Sequence, residues 1–366
     1  MHTFQRPRFP GSLPVAATLL LVATPAFGGV VNPDISVIGQ PFLRMTDDPD
    51  DPDDNHPRLD VGETEFVFDA ALNPYAHGTV VMALGDEGAE IEEGFFQLTR
   101  GLPGNLALKG GKYRVGFGRL NALHPHAYPF AERPRVLAAY LPGDESFNET
   151  GISISRLFPV AGDFAITAAA DYLQGDGFRP AEDDDAEPGS RPALLGRISG
   201  FTLLGEQSAL EFGFSGTRGR NDIAAKTSTT ILGADAKAKL WTSPRAYLVL
   251  QGEVLRLDLE TDLCPDCASP VPLLGSIETT GGYLFADYNW AGRYNAGVSY
   301  ERYQEPVPFD RPVSQAFGLF AGLALLEETT AFRADWNHFQ PDFGDKVNTF
   351  TLRVIYSMGP HKAHQF

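Results

Sequence analysis

The sequence predicts an all-β protein, a transmembrane antiparallel β-barrel of about sixteen strands. Three observations predict this fold class. Apolar and polar residues alternate with period 2 along many short segments, short turns alternate with longer polar loops, and no long apolar run follows the N-terminal region. We expect the sheet to close on itself, because a closed sheet leaves no edge strand unpaired.

The N-terminal region has the three parts of a secretory signal peptide. Arg6 and Arg8 give a positive start, residues 13–23 form a short apolar core, and small residues precede a cleavage site after Gly28. The apolar core is too short for a transmembrane helix, which needs roughly 20 residues. We therefore predict a signal peptide over residues 1–28 and an exported barrel over 29–366. The alternative interpretation of the apolar segment at residues 13–23 is a buried helix of a cytoplasmic protein.

The alternation is clearest in the last predicted strand, residues 347–358. Phe350 and Leu352 fall on one face, and Thr351 and Arg353 fall on the other. Such a strand suits a wall between lipid and water. A soluble β-sandwich would also alternate, but it would not explain the alternation of turn and loop lengths. The same pattern recurs in segments 63–72, 232–240, 284–290, 294–301 and 332–337.

The connections indicate how the barrel is oriented. We expect the short ones to be periplasmic turns and the longer polar ones to be extracellular loops, with both chain ends in the periplasm. The short turns lie near 73–74, 102–105, 160–162, 205–206, 243–244, 291–292 and 327–328. The longer segments are 45–61, 86–90, 119–149, 175–192, 219–227, 261–278, 305–313 and 340–346.

Composition excludes several classes of function. The chain of 366 residues has a formal net charge of −18, which argues against nucleic-acid binding. The mean hydropathy of −0.16 is compatible with a membrane barrel, because only alternate residues of each strand face lipid. No nucleophile elbow is visible, so we expect a protein that is not an enzyme and that needs no cofactor.

The stretch from Glu92 to Arg135 resembles the outer-membrane porins of the phosphate-selective porin O and P type. The resemblance rests on the acidic pair Glu92-Glu93, on Gly111-Lys112-Tyr113 in a strand followed by Phe117-Gly118, and on Glu132-Arg133 in the next loop. The resemblance implies a sixteen-stranded channel that assembles into homotrimers. It also implies that residues 119–149 form a constriction loop, which folds inward and narrows the pore. In that loop, Arg119, Arg133 and Arg135 would contact anions and Glu132 would anchor or counter them.

The strand faces assigned to the lumen carry charges of both signs. A mixed lumen with an acidic rim favours cations or weak selectivity, so a preference for phosphate is left open. The predicted channel-lining residues are Glu63, Glu65, Asp69, Lys112, Arg114, Asp171, Asp235, Lys237, Lys239, Asp287, Arg333, Asp335 and Arg353.

Two short motifs suggest further sites. His124 and His126 are suitable ligands for Zn²⁺ or Cu²⁺ if a third ligand converges on them, but packing within the loop is the default interpretation. Cys264 and Cys267 are predicted to form a local disulfide in an outer loop, because the compartment is oxidising. The acidic runs at 47–54 and 182–187 lack the spacing of a calcium loop and are interpreted as solvated rim segments.

The C-terminal residue is Phe366, and a terminal aromatic residue resembles the signal that the barrel-assembly machinery reads. The last alternating strand ends near Met358, which leaves residues 359–366 as a tail. Besides that machinery, we expect outer-membrane lipid and lipopolysaccharide as partners.

The expected function is a porin-like passive channel for small hydrophilic or ionic solutes in a bacterial outer membrane. Two alternatives stay open at this point. One is a closed structural or adhesive barrel whose lumen is packed by the inserted loop, and the other is an outer-membrane lipid hydrolase.

Overall fold

The computed structural model describes residues 32–85, 88–143, 145–179, 191–264, 273–326 and 329–359. The predicted signal peptide, the acidic run at 182–187 and residues 360–366 of the tail lie outside them. The described residues form eighteen β-strands, one short α-helix and three 3₁₀ turns. No described helix is long and apolar enough to cross a membrane.

The strands are β1 (Asp34–Gly39), β2 (Phe42–Thr46), β3 (Arg58–Asp60), β4 (Thr64–Ala71), β5 (Ala76–Gly85), β6 (Gly88–Leu98), β7 (Leu106–Arg114), β8 (Asn148–Ala161), β9 (Phe164–Leu173), β10 (Ala193–Leu204), β11 (Ser208–Asp222), β12 (Thr227–Ser243), β13 (Ala246–Asp262), β14 (Leu274–Trp290), β15 (Tyr294–Gln304), β16 (Val313–Leu326), β17 (Thr330–Gln340) and β18 (Val347–Met358). The helix α1 spans Arg135–Tyr140, and the 3₁₀ turns span Pro103–Asn105, Pro125–Ala127 and Asp176–Phe178.

The sheet closes into a barrel. From β4 onward each strand pairs antiparallel with the next, and β18 pairs back with β1 at Val37 and with β2 at Met45. Strands β1 and β2 are two parts of one barrel strand, and β3 and β4 are two parts of the next, because β2 pairs with β3 and β1 pairs with β4. The eighteen segments therefore make sixteen barrel strands. The predicted closed, sixteen-stranded antiparallel barrel is confirmed.

Both interruptions have a local cause. Pro41 has no backbone N–H to give to the ladder, but its carbonyl still accepts a hydrogen bond from the Val354 N–H at 2.9 Å. Gly62 interrupts the facing strand with a φ of +63°, and a Cβ there would lie 2.4 Å from the carbonyl oxygen of Gln40. Glycine is therefore required where the two breaks meet.

The connections between described strands follow the predicted order with two differences, and the predicted turn at 327–328 lies outside the described residues. The segments at 47–57, 115–147, 174–192, 263–273, 305–312 and 341–346 are the longer ones, as expected. Of the predicted loop at 86–90, residues 88–90 belong to β6, which starts at Gly88 opposite Gly85, and residues 86 and 87 lie outside the described residues. Segment 219–227 is shorter than predicted because β11 and β12 stay paired up to Asp222 and Thr227. In both places the polar residues continue the hydrogen-bonded ladder beyond the apolar band.

The outer face of the barrel wall carries apolar residues and the inner face carries polar ones, the reverse of a soluble protein. The outward Phe214 and Val254 are 62% and 63% exposed, whereas the inward Asp235 and Glu253 are only 6% and 3% exposed. At the turn between β14 and β15 the outward rings of Trp290 and Tyr294 stack 5.6 Å apart. An apolar outer band bordered by aromatic rings suits contact with a bilayer.

The apolar outer face predicts that the cost of a charged substitution depends on its depth in the membrane. We expect Val254→Arg, at the middle of β13, to lower the free energy of unfolding in lipid vesicles by about 2–4 kcal/mol, because a cation at the midplane must leave water. Met358→Arg, at the end of β18, should cost only about 0–1 kcal/mol. Urea titration of the two variants measures this difference. Equal costs would contradict a lipid-facing band centred on β13.

Candidate functional site

Residues 115–147, here called the inner loop, connect β7 to β8 and fold into the barrel. Val115, Phe117 and Phe147 are completely buried, although they lie in a connection and not in a strand. The amide of Asn121 joins the two ends of the loop: it donates to the carbonyls of Val115 at 2.8 Å and Phe147 at 2.9 Å, and it accepts from the Phe147 N–H at 2.9 Å. The loop therefore starts from a fixed base.

One part of the inner loop is anchored to β11 and β13. The carboxylate of Glu253 accepts the backbone N–H groups of Arg119 at 2.8 Å and Leu120 at 3.0 Å. It also accepts the hydroxyl of Tyr283 at 2.6 Å. The Arg119 guanidinium pairs with Glu211 at 2.7 Å. Since Glu253 is almost completely buried, these donors supply the partners that water cannot.

The later part of the inner loop is anchored to β15 and β17. Glu301 accepts the N–H at the start of α1, from Val136, at 3.2 Å. Arg135 contacts Glu301 at 3.4 Å and donates to Asn337 at 3.0 Å. The Tyr140 hydroxyl donates to the Gln304 carbonyl at 2.8 Å. The loop thus reaches wall strands far from its own base.

Aromatic packing accompanies these polar anchors. The ring of Phe130 lies 5.3 Å from Phe285 and 5.7 Å from Phe320, both edge-to-face. Tyr140 packs edge-to-face on Tyr303 at 6.4 Å. These contacts form part of a buried apolar cluster inside the barrel, on the side of β14–β16. The inner loop consequently fills this side of the lumen.

The predicted loop residues all have protein partners. Arg119 pairs with Glu211 as described, and Arg133 donates to Asn121 at 3.1 Å and to the Glu145 carbonyl. Glu132 lies 3.7 Å from Arg135 and is 38% exposed at its side chain. The arginines that the family resemblance assigned to anions therefore hold the loop in place here.

The predicted channel-lining residues face inward with one exception. Several are paired along the wall: Asp69 with His77 at 2.6 Å, Asp171 with the Tyr113 hydroxyl at 2.9 Å, and Asp235 with Arg197 at 2.6 Å. The inward members of the predicted set are Glu63, Glu65, Asp69, Arg114, Asp171, Asp235, Lys237, Lys239, Asp287, Arg333, Asp335 and Arg353.

Lys112 is the exception, and the structure places it on the outer face. It is opposite Thr150 in the β7–β8 ladder, and its ammonium contacts the exposed Glu90 at 3.1 Å. Lys109 instead faces the lumen, where its ammonium lies 4.3 Å from the ring centre of Phe95. Lys112 and Arg114 differ in direction because Arg114 is the last residue of β7, where the chain already turns into the inner loop.

A cluster of acidic residues and histidines lies where the inner loop passes β4 and β6. His124 contacts Glu65 at 3.2 Å, Glu92 at 3.3 Å and Glu93 at 2.8 Å. Burial lowers the pKa of His124, but its contacts with Glu92 and Glu93 and the charge of Glu65 outweigh burial and raise that pKa to about 9. His126 bonds to the other oxygen of Glu65 at 2.8 Å.

Sequence reasoning missed these carboxylates as partners of the histidines. Glu65 precedes His124 by almost sixty residues, and only the closed sheet brings them together. Adjacent Glu92 and Glu93 both reach the interior because a register shift at Val81–Met82 leaves Glu92 without a partner residue on β5. Arg114 donates to Glu92 at 2.5 Å.

Part of the lumen keeps charged groups in contact with solvent. The side chains of Arg44, Glu132 and Arg135 are 33%, 38% and 27% exposed. Glu132 and Arg135 line a crevice between the inner loop and the wall. The guanidinium of Arg353 lies within the electrostatic reach of Glu132 and of Glu63 on the wall. Charges of both signs therefore border this gap.

Cys264 is disulfide-bonded. Cys267 lies outside the described residues, so the predicted pairing of the two stays a prediction.

Comparison with known proteins finds one sequence relative and several similar folds. An uncharacterized protein of Aquifex aeolicus is 31% identical over 340 residues, which cover 82% of this chain and 69% of that protein. No protein-family model matches the chain.

Among solved structures, the anion-selective porin of Comamonas acidovorans has a TM-score of 0.59 at 12% identity, over 89% of this chain and all of that chain. Pseudomonas putida OprB at high pH scores 0.60 at 10% identity, over 90% and 94%. The trimer form of OmpT, an outer membrane protein of Vibrio cholerae, scores 0.58 at 15% identity, over 89% and 99%. These likenesses support a porin-like barrel, and assignment to the phosphate-selective porins stays a prediction.

The anchor at Glu253 generates a second prediction. Glu253→Ala leaves buried N–H groups of the inner loop without acceptors, and we expect it to lower the free energy of unfolding by about 1–3 kcal/mol. The loop should also become open to proteolysis between residues 115 and 147. Glu253→Gln keeps one acceptor oxygen and should lower the free energy of unfolding by less than Glu253→Ala does.

Urea titration and limited proteolysis measure these effects, and Glu278→Ala is the matched control because Glu278 lies exposed beside Arg256. A Glu253→Ala variant as protease-resistant as that control would show that the loop does not depend on this carboxylate.

Proposed function

The chain belongs to the same family as the Aquifex aeolicus protein, and we propose that it is a passive channel for small hydrophilic or ionic solutes in a bacterial outer membrane. The observation that carries this proposal is the gap beside the inner loop, where Glu132 and Arg135 keep 38% and 27% of their side chains exposed inside a sixteen-stranded wall. Barrels of this size leave an aqueous lumen that side chains alone do not fill.

Location and assembly are part of the same proposal. The apolar outer band and the predicted signal peptide at residues 1–28 support export and insertion among outer-membrane lipid and lipopolysaccharide by the barrel-assembly machinery. A trimeric solved structure with a similar fold supports a homotrimer.

Selectivity follows from the pairing of the loop arginines. Arg119 and Arg135 are paired with the carboxylates of Glu211 and Glu301, which offset their positive field toward a passing anion. Arg133 is held by neutral acceptors and keeps its charge. The net charge of −18 adds an acidic background. We therefore favour weak cation selectivity over a preference for phosphate.

A closed structural barrel is the second candidate, and a specific observation favours it. Phe130 and Tyr140 pack edge-to-face on aromatic partners from β14–β16. If this packing extended through the gap beside Glu132, no ions would pass.

Conductance in planar bilayers separates the two candidates. We expect purified, folded protein to give discrete conductance steps in KCl, smaller than those of a barrel without an inserted loop. Heat-unfolded protein from the same preparation is the control. A folded preparation without any steps would establish the closed barrel.

Charge reversal at the gap tests selectivity. We expect Glu132→Lys to shift the reversal potential in a KCl gradient toward anion selectivity, because Glu132 borders the gap. Glu278→Lys makes the same change of charge on the outer surface and should leave the reversal potential unaltered. Equal shifts from both variants would contradict a conduction path along the inner loop.

A further inference from the structure

The cluster at the start of the inner loop contains three polar atoms without a hydrogen bond. They are Oε2 of Glu65, Oε2 of Glu92 and Nδ1 of His124, and none of them has a hydrogen-bond partner among the described residues. The side chain of Glu65 is completely buried and that of Glu92 is 6% exposed. Burial without a hydrogen bond is costly for a carboxylate oxygen, so the arrangement calls for an occupant.

These three atoms converge on one point. All lie within 4.8 Å of one another, and His124 Nδ1 is 3.2 Å from the Glu65 oxygen and 3.3 Å from the Glu92 oxygen. Ligand atoms about 2.1 Å from a tetrahedral metal are separated by roughly 3.4 Å. The observed spacing is therefore that of neighbouring ligands around one ion.

The opposite atom of each side chain already has a partner. His124 Nε2 contacts Glu93 at 2.8 Å, Glu65 Oε1 contacts His126 at 2.8 Å, and Glu92 Oε1 accepts from Arg114 at 2.5 Å. When Nε2–H donates to Glu93, the lone pair of Nδ1 is left facing the gap. Partners of this kind orient the ligands of metal sites and set the tautomer of the histidine.

The net charge of the cluster also favours a bound cation. Four neighbouring carboxylates, of Glu63, Glu65, Glu92 and Glu93, interact with two cations, Arg114 and Lys109, which leaves an excess of two negative charges when all four are ionised and the histidines are neutral. A divalent cation neutralises that excess. A proton on Nδ1 of His124 is the competing occupant and neutralises half of it.

We propose that Glu65, Glu92 and His124 bind a first-row divalent metal ion, Zn²⁺ or Mn²⁺, that joins the inner loop to β4 and β6. One imidazole with two carboxylates is a donor set that such ions accept, and a water molecule completes the coordination. Glu93, His126 and Arg114 act as positioning residues. The site requires the folded barrel but not conductance, so it is independent of the proposed channel function.

The test uses folded, disulfide-intact protein in detergent, stripped with EDTA. His361 and His364 are replaced by Ala throughout, so that the tail supplies no ligand. Calorimetric titration with Zn²⁺ should show one ion per chain, with Mn²⁺ binding at the same site by competition. X-ray absorption of the Zn²⁺-loaded protein should show only nitrogen and oxygen ligands near 2.0–2.1 Å.

Variants localise the ion. Glu92→Gln and His124→Gln should abolish this binding, whereas His126→Gln should weaken it by about 10–100-fold. His77→Gln is the matched control, since His77 pairs with Asp69 elsewhere on the wall, and it should bind as the parent does. Failure of the parent to bind Zn²⁺, full binding by both ligand variants, or equal affinity for Ca²⁺ and Zn²⁺ would each overturn the proposal. The absorption spectrum of the parent keeps the test decisive if a variant does not fold.

Discussion

A wall one residue thick imposes the constraint on which the rest of the molecule depends. When alternate side chains face lipid, all the others face the lumen, whatever their charge. Buried groups such as Asp235, Glu253 and Glu301 then need partners inside the barrel. In a barrel of eight strands the side chains meet across the axis, but sixteen strands hold them too far apart. The inner loop brings the missing donors, as backbone N–H groups to Glu253 and Glu301.

The way the inner loop satisfies the wall also divides the lumen. Some of its apolar residues pack against β14–β16, where Phe130 and Tyr140 contact aromatic partners. The gap next to them keeps charges, with Glu132 on the loop and Arg353 on the wall. Such a gap carries a field across its width, which favours polar solutes over apolar ones. Aromatic packing next to solvated charge narrows the lumen and leaves polar groups along the space that remains.

The sequence predicted the elements that depend on neighbours along the chain. The alternation in 347–358 and the position of most turns needed only period 2 and turn residues, and the structure agrees with them. The sequence did not predict that residues 88–90 belong to β6, because polar residues at the end of a strand have the same sequence pattern whether or not they pair. The same limit explains Lys112: strict alternation put it with Arg114, but only Arg114, at the end of β7, has its side chain buried against Glu92.

The partners of the site could not be predicted because they are joined only by closure of the sheet. Arg119 and Glu253 are 134 residues apart in sequence, and Val136 and Glu301 are 165 apart. The period-2 alternation predicts whether a side chain points inward or outward. Its position along the barrel axis, which decides whether it meets the inner loop, depends on the stagger of every intervening strand.

The histidines show how a local signal can still point to such a site. Pro125 starts a 3₁₀ turn that places the imidazoles of His124 and His126 in a stack, 5.7 Å apart and 22° from parallel. Both rings therefore approach Glu65 together, one at each carboxylate oxygen. Ordering a long loop costs conformational entropy, so its anchors must be strong where it first leaves the strand. A charge-rich anchor between His124 and two wall strands meets that need in the first part of the loop, and it leaves Glu132 free to border the gap.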